Sequence, residues 1–202
     1  MLSLDGVMQA PGAPEEDPSS DFKYGGWQVY GGNGVLPVMN ETFKEPFDLL
    51  LGRKTYDIFA AYWPRVAADP SLVNGDELTF SIARKFDNTT KYVATHSPET
   101  LHWKNTQALS NDVVAAVRKL KQGNGPPLLT QGSSELLQAL MANDLVDEFR
   151  LFIYPIVLGK GKRLFDRGTV PSAFKVTKSE TSPKGVMMVR YVRDGEINLP
   201  RR

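Results

Sequence analysis

Three short segments of the sequence place small, hydroxyl-bearing and basic residues where a predicted strand gives way to a predicted helix. They are GRKT at 52–55, THS at 95–97 and QGSSE at 131–135. A helix that begins directly after a strand exposes backbone N–H groups at its positive end, and this arrangement suits a bound anion. The same corners also serve as ordinary helix caps. Each segment taken alone therefore leaves both interpretations open.

The first corner carries a basic pair, Arg53 and Lys54, followed by the hydroxyl of Thr55. A guanidinium offers a planar fork to a phosphate, and the two Gly-containing corners, 52–55 and 131–135, together with this basic pair suit a polyphosphate such as a dinucleotide. Alternatively, Arg53 and Lys54 are solvated residues of a first helical turn. No G-x-G-x-x-G or G-x-x-x-x-G-K-[ST] motif follows a predicted strand, which excludes a Rossmann fingerprint and a P-loop.

Asp5 is the acid most suited to chemistry, because it ends the first apolar run in the segment SLDG. A carboxylate at such a position either fixes a turn through its own backbone or projects into a pocket. In a pocket it could hydrogen-bond a heterocyclic N–H or help a proton reach the substrate. Both interpretations stay open.

Composition excludes several classes of function. The chain has 202 residues, 24 Lys and Arg against 23 Asp and Glu, no Cys and only two His. A balanced charge gives no field that recruits nucleic acid or an anionic membrane, and the absence of Cys with so few His argues against a metal centre. No apolar run is long enough to span a bilayer. We expect a soluble, cytoplasmic protein without a metal, built as one domain over 1–202.

The elements that position these residues alternate between strand and helix. Segment 46–52 predicts a strand buried on both faces, and the apolar spacing after it predicts a helix that Pro64 ends. Further strands are predicted at 90–95, 105–109 and 127–130, with helices at 35–44, at 78–86, after Ser110 as its cap, and after 131–135. Because the carboxyl ends of parallel strands share one edge of a sheet, the three corners are expected to lie together.

The last third of the chain is rich in predicted strands. Segment 147–159 predicts a long strand in which Pro155 marks a bulge or an unpaired edge position. Strands at 174–180 and 186–193 are joined by a turn signal, which predicts an antiparallel hairpin. The whole indicates an α/β fold with a mixed, mainly parallel sheet flanked by helices. Segment 10–34 is too irregular for a helix or a strand, and its aromatic residues, Trp27 among them, predict either a self-anchored loop or a lid.

Four motifs in order along the chain carry a family resemblance: SLDGVMQAPG, FDLLLGRKTY, LLTQGSSELLQAL and LVDEFRLFIYPIVLGKGKRLF. Together they resemble the dihydrofolate-reductase-like superfamily, and more narrowly the reductase domain of bifunctional riboflavin-biosynthesis enzymes. The resemblance implies a three-layer dihydrofolate-reductase-like fold, NADPH as the hydride donor and a homodimer.

The resemblance also implies roles for individual residues. Arg53 would lie near the adenosine 2′-phosphate of the cofactor, and Asp5 would face the substrate and the nicotinamide. Val7 and Met8 would line the nicotinamide side, and Trp27 would belong to the loop that closes the substrate pocket. The implied cofactor site comprises Gly52, Arg53, Lys54, Thr55, Thr95, His96, Ser97, Gln131, Gly132, Ser133, Ser134 and Glu135.

Two positions depart from the riboflavin reductases. The acid that usually precedes the paired glycines of the pyrophosphate loop is Gln131 here, and the second of those glycines is Ser133. Neither removes the cofactor site. We therefore expect an NADPH-dependent reductase that acts on a small pteridine-like or pyrimidine-like heterocycle. The alternative is an NADP(H)-binding protein of the same fold without efficient catalysis. The sequence leaves the substrate open.

Overall fold

The computed structural model describes residues 1–166, 169–197 and 199 of the chain. The chain divides into two compact units, unit 1 (Met1–Val35 and Gln138–Arg202) and unit 2 (Leu36–Leu137). Among the described residues each unit contains one four-stranded sheet. These elements confirm the predicted α/β class with parallel and antiparallel strands, whereas the single domain over 1–202 stays a prediction.

The sheet of unit 2 is entirely parallel, with the spatial order β4-β3-β2-β5. Its central strand β2 carries Leu49, Leu50 and Leu51, which are all buried. A strand with apolar residues on both faces must be covered on both faces, as the sequence predicts. The strands are β2 (Asp48–Gly52), β3 (Lys91–Ala94), β4 (Thr106–Ala108) and β5 (Leu128–Leu129).

The helices of unit 2 enclose an aromatic core. Phe86 is fully buried, and the rings of Phe43, Phe59 and Trp63 lie against it with centroids 5.0 to 5.8 Å away. Edge-to-face and offset ring pairs of this kind add to the stability that burial provides. The helices are α1 (Leu36–Thr42), α2 (Arg53–Ala68), α3 (Glu77–Asn88) and α4 (Val113–Lys121), and α5 (Ser134–Ala142) begins in this unit.

Pro64 does not end α2, so the predicted boundary is wrong. The helix continues past Pro64 to Ala68, and Val66 in that last part is only 1% exposed. A proline inside a helix removes one backbone donor and crowds the preceding turn. Burial of Val66 and the contacts of Trp63 with Phe86 stabilise the helix beyond the proline.

The cap of α4 is Asp112, not Ser110 as the sequence predicts. The Asp112 carboxylate accepts the backbone N–H of Ala115 at 2.9 Å. The Ser110 hydroxyl instead donates to the carbonyl of Asp112 at 3.1 Å. Because Asp112 directly precedes the first helical residue, its side chain reaches the unpaired N–H groups of the first turn.

The sheet of unit 1 is mixed, with the order β1-β6-β8-β7. Its strands are β1 (Leu2–Ser3), β6 (Glu148–Tyr154), β7 (Phe174–Thr181) and β8 (Met187–Arg193). β1 is parallel to β6, whereas β8 is antiparallel to both β6 and β7. The last two strands therefore form the predicted C-terminal hairpin. Pro155 lies just after β6 rather than at a bulge within it, because a residue without an N–H ends the ladder there.

Segment 10–34 is irregular, as the sequence predicts. It contains two stretches of 3₁₀ hydrogen bonding, Ser19–Asp21 and Trp27–Val35, which non-helical backbone at Ser20 and Gly32 interrupts. Trp27 and Val35 are both 3% exposed, so their burial fixes a stretch whose glycines alone would favour irregular backbone. Among the described residues, no helix is both long enough and apolar enough to cross a membrane.

Candidate functional site

The three corners lie side by side in unit 2. β3, β2 and β5 are neighbours in a parallel sheet, so their carboxyl ends share one edge, as the sequence predicts. α2 begins at Arg53 directly after β2, and α5 begins at Ser134 after β5. The corner after β3 differs from the prediction, because it opens only a single 3₁₀ turn, Pro98–Thr100.

Ser133 links the first corner to the third. Its hydroxyl accepts the backbone N–H of Gly52 at 2.9 Å and donates to Thr55 Oγ1 at 2.9 Å. Gly52 is the residue before α2, and none of the side chains that the structure describes caps that helix start. The hydroxyl hydrogen of Thr55 and the first N–H groups of α2 thus remain suited to an anion at this edge.

The backbone of the third corner is left-handed at two successive residues. Gly132 has φ +71° and Ser133 has φ +60°. A non-glycine residue rarely adopts this region, and when it does, the surrounding structure has to hold it there. Ser133 therefore keeps the backbone that a glycine would adopt and adds the hydroxyl that connects Gly52 and Thr55.

Arg53 links the first corner to the second. Its Nη1 donates to Thr95 Oγ1 at 3.2 Å, to the Ser97 carbonyl at 3.3 Å and to Thr100 Oγ1 at 2.6 Å. Its Nε lies 2.9 and 3.0 Å from the two carboxylate oxygens of Asp57, one turn further along α2. Among the residues that the structure describes, Nη2 has no hydrogen-bond partner, so that nitrogen can donate to a ligand.

The remaining predicted cofactor residues border this edge. Lys54, His96, Gly132 and Glu135 are exposed, whereas Ser134 is half-buried at the start of α5. Gln131 places its Oε1 in a buried position without a hydrogen-bond partner in the described part of the chain. Because a buried acceptor without a donor is costly, this oxygen suits a ligand hydroxyl or amide.

A cavity of about 550 Å³ lies beside the Arg53 corner in unit 2. Asp57 and Thr100, both partners of Arg53, form part of its wall, together with the rings of Tyr56 and Trp103. Asp57 and Thr100 are not among the residues predicted from the sequence. The spacing of Asp57 four residues after Arg53 is a usable signal, since such pairs meet on a helix surface. No feature of the sequence points to Thr100.

Asp5 lies in unit 1, where it holds the loop after β6. Its carboxylate accepts the hydroxyl of Ser3 at 2.6 Å and the backbone N–H groups of Leu158 at 3.1 Å and Gly159 at 2.9 Å. Arg163 donates to the Asp5 backbone carbonyl and lies 3.4 Å from its carboxylate. These hydrogen bonds agree with the interpretation in which the carboxylate of Asp5 fixes a turn.

The surroundings of Asp5 keep it ionised. The hydrogen bond from Ser3, with the two backbone N–H groups, lowers the pKa of Asp5 to about 2. Hydrogen bonds to the charged form of a carboxylate have this effect. At neutral pH the group can accept a hydrogen bond from a substrate N–H, whereas it has no proton to donate.

The other predicted substrate residues are largely buried within unit 1. Val7 is fully buried and pairs with Arg163 through an isolated bridge, so its side chain belongs to the core. Trp27 donates its indole N–H to the Gln9 carbonyl at 2.7 Å and packs edge-on against Tyr154. These contacts support the anchored-loop interpretation of 10–34 at its Trp27 end. Met8 is half-buried beside them.

A second cavity of about 550 Å³ adjoins this loop in unit 1. Trp27 and Leu158 contribute to its wall, and the exposed rings of Tyr24 and Tyr30 stand at its rim. Leu158 is one of the residues whose N–H donates to Asp5. The acid and this aromatic cavity are therefore joined through the backbone of the same loop.

A model of the RibD C-terminal domain family matches residues 1–188. The chain belongs to this family. Two relatives from Bacillus subtilis (strain 168) are similar to it: the "Uncharacterized protein YyaP" is 31% identical over 149 residues, covering 73% of this chain and 74% of the relative. The "Uncharacterized protein YwjB" is 25% identical over 192 residues, covering 95% and 94%.

The fold is similar to a solved structure as well. The crystal structure of the "Putative riboflavin biosynthesis protein" from Shewanella sp. PV-4 matches with a TM-score of 0.58 and 20% identity, covering 96% of this chain and 95% of that one. This likeness and the family match together confirm the dihydrofolate-reductase-like fold expected from the sequence. The family is that of the reductase domain of riboflavin-biosynthesis proteins, so the chain is a reductase-like domain.

Within this RibD C-terminal domain the described residues form no cluster of three or more His, Cys, Asp or Glu suited to a metal ion. The residues suited to binding or catalysis instead form two groups. One is the edge in unit 2 that joins Gly52, Arg53, Thr55 and Ser133, which we call the phosphate edge. The other is Asp5 with its loop in unit 1. The roles of the individual residues stay predictions.

Proposed function

We propose that the protein is an NADPH-dependent reductase that transfers hydride to a small pteridine-like or pyrimidine-like heterocycle. The observation that carries the proposal is the phosphate edge, where Ser133 and Arg53 connect three neighbouring strand ends. Ligands of open α/β sheets bind at this kind of edge. Membership of the RibD C-terminal domain family supports the reductase class.

The donors of the phosphate edge fit a phosphorylated dinucleotide. Guanidinium N–H groups, hydroxyls and helix-start N–H groups all pair with phosphate oxygens. In this proposal Gly132, Ser133 and Ser134 hold the pyrophosphate with Thr55, and Arg53 holds the 2′-phosphate with Thr95 and Ser97. The unpaired Nη2 of Arg53 and the uncapped start of α2 support the fit.

The chain supplies orientation and electrostatics, while bound NADPH supplies the hydride. Asp5, held as an anion, accepts a hydrogen bond from a ring N–H and so orients the heterocycle. A carboxylate whose pKa is about 2 does not deliver the proton that accompanies hydride transfer, so the proton comes from another source such as water. This role for Asp5 is narrower than the acid–base role that its sequence allows.

The cavity of unit 1 is the proposed substrate pocket. Its volume falls within the range of small-molecule sites, and its rings suit a flat heterocycle. Trp27 is already held by its bond to Gln9, so it forms a fixed wall. The exposed rings of Tyr24, which packs edge-on against Phe22, and of Tyr30 offer flat surfaces to a bound ring.

A second candidate function is binding of NADP(H) without efficient catalysis. Gln131 supports it, because it stands where the riboflavin reductases usually carry an acid before the paired glycines. Asp5 supports it as well, because Ser3, Leu158 and Gly159 already use much of the hydrogen-bonding capacity of its carboxylate. We also propose that the protein is a homodimer, as the family resemblance implies, and that it is cytoplasmic, as expected from its sequence.

Titration with NADPH tests the proposed function. The chain has three Trp residues as fluorescence reporters, and bound cofactor raises the melting temperature by mass action. Oxidation of NADPH in the presence of dihydrofolate, pterins or ribosylaminopyrimidines then separates the two candidates. Binding with turnover on one of these substrates supports the reductase. Binding without turnover on any of them supports the non-catalytic protein, and no binding contradicts both.

A further inference from the structure

The guanidinium of Arg53 is held on two of its three nitrogens. Nε faces both carboxylate oxygens of Asp57, and Nη1 faces the oxygens of Thr95, Ser97 and Thr100. Only Nη2 lacks a partner among the described residues. A long, flexible side chain is thereby restricted to one orientation before any ligand arrives.

We propose that Asp57 and Thr100 are positioning residues that set the preference for NADPH over NADH by orienting Nη2 of Arg53 toward the 2′-phosphate. The inference rests on the proposed function. Asp57 and Thr100, which the sequence does not single out, would then have a measurable effect on cofactor specificity. Neither residue is assigned a contact with the cofactor; both act through Arg53.

The hydroxyl of Thr100 forms two hydrogen bonds at the same time, one as donor and one as acceptor. It donates to the Ser97 carbonyl at 2.8 Å and accepts from Arg53 Nη1 at 2.6 Å. One hydroxyl supplies one donor and a lone pair, so both bonds form at once. Valine has the same shape but neither capability, whereas serine keeps both. The pair Thr100→Val and Thr100→Ser therefore separates the hydroxyl from the volume of the side chain.

Asp57 exerts two opposed effects on a nearby phosphate. Its carboxylate holds Nε of Arg53, which favours binding, and its negative charge repels the phosphate, which opposes binding. The Asp57 side chain is 52% exposed, so water and salt screen the repulsion, whereas the contact at 2.9 and 3.0 Å acts directly. Orientation should therefore outweigh repulsion. Ordering the side chain in advance reduces the entropy lost on binding.

The ratio of NADH to NADPH dissociation constants isolates this effect. The two cofactors differ only in the 2′-phosphate, so a general change in folding or in pyrophosphate binding alters both constants alike. We expect Thr100→Val and Asp57→Ala each to lower the ratio about tenfold through weaker NADPH binding. The ratio for Thr100→Ser should stay near that of the original protein. The ratio for Asp57→Asn, which keeps an oxygen acceptor, should lie between those of the original protein and Asp57→Ala.

A double-variant cycle identifies the route of the effect. If Thr100 acts through Arg53, the combined variant Arg53→Ala/Thr100→Val binds NADPH as weakly as Arg53→Ala alone. An additive loss in the combined variant contradicts a role through Arg53. The matched controls are Glu77→Gln, which removes an exposed acid of α3, and Thr177→Val on β7. Both should leave the ratio unchanged.

The experiment is isothermal titration calorimetry of the purified full chain with each cofactor, and melting temperatures show that every variant is folded. An unchanged ratio in Thr100→Val and Asp57→Ala, with NADPH still bound by the original protein, overturns this inference and leaves the proposed function standing. Tighter NADPH binding by Asp57→Ala overturns the role of Asp57. Failure of the original protein to bind NADPH overturns both the inference and the proposed function.

Discussion

The backbone nitrogen of Gly52 donates a hydrogen bond to the hydroxyl of Ser133 at 2.9 Å, across 81 positions of sequence. The same hydroxyl contacts Thr55. Two corners that the sequence presents as separate helix starts are thus one connected edge. Ser133 holds that edge together while its own backbone stays in the left-handed region, at φ +60°.

Replacement of Ser133 should destabilise the protein in a graded way. Ser133→Ala loses both hydroxyl contacts and keeps the unfavourable backbone, so we expect a loss of about 1–2 kcal/mol in the free energy of unfolding. Ser133→Gly also loses the hydroxyl but adopts φ +60° without strain, so its loss should be smaller. Urea unfolding measures both. Ser179→Ala on the exposed strand β7 is the control, and a larger loss for glycine than for alanine contradicts this role of the backbone.

Because the carboxylate of Asp5 is ionised at an unusually low pH, we predict that the free energy of unfolding changes in acid. The pKa of Asp5 is about 2 in the folded protein against an ordinary 3.8, so the unfolded chain binds the proton first as the pH falls. The stability that Asp5 contributes is therefore complete above about pH 4 and is lost as the pH falls toward 2. Unfolding measured between pH 2 and 5 should show a weaker pH dependence in Asp5→Asn than in the original protein. Equal slopes would mean that the Asp5 pKa is not lowered.

Asp5→Asn also tests the substrate role. The amide keeps one acceptor oxygen but places N–H groups against the N–H groups of the loop at Leu158 and Gly159, so the cavity wall should shift. We expect turnover to fall at least tenfold, while NADPH affinity changes less than threefold. Steady-state kinetics and calorimetry measure the two quantities. Unaltered turnover would leave Asp5 as a turn residue only.

The fold was largely predictable because its strands and helices carry strong local patterns. The three buried leucines of β2 and the aromatic stripe of α2 indicate their elements without tertiary information. The errors at Pro64 and Ser110 concern element ends, where burial of Val66 and the position of Asp112 decided the outcome. The burial of Val66 and the hydrogen bond of Asp112 follow from the folded structure and are not visible in the residue types alone.

The site was predictable only in part, for a similar reason. The corners at 52–55 and 131–135 combine recognisable residues with strand ends, so the sequence indicates them. Thr100 has no motif, and its importance arises because a 3₁₀ turn brings its hydroxyl to Arg53. Trp27 had two interpretations until its bond to Gln9 showed that its ring is anchored.

Lys91 belongs neither to the phosphate edge nor to the Asp5 loop. Its burial leads us to predict a second effect of pH on stability. It is fully buried, donates to the carbonyls of Phe86 and Thr89 at 2.9 Å, and lies 4.1 Å from the ring of Trp103. Burial lowers the pKa of Lys91 from 10.5 to about 8. Between these values the unfolded chain holds the proton that the folded protein has released, so stability should rise with pH.

The variant Lys91→Met tests this effect, because it keeps the length of the side chain and removes the titrating group. The difference in unfolding free energy between the original protein and the variant should change between pH 8 and 10, in favour of the original protein at the higher pH. The carbonyls left without a donor should make the variant less stable by about 2–3 kcal/mol at pH 8. A difference independent of pH would contradict the lowered pKa.

The central claim is that the phosphate edge binds NADPH through Arg53, and calorimetric titration of Arg53→Ala with NADPH and NADH tests it most directly. Loss of a charge-assisted contact to the 2′-phosphate should lower the affinity for NADPH by about tenfold to a hundredfold and change the affinity for NADH by less than about threefold. Lys119→Ala, which removes an exposed cation of α4, should change neither. Equal weakening of both cofactors, or no binding of NADPH to the original protein, would contradict the account.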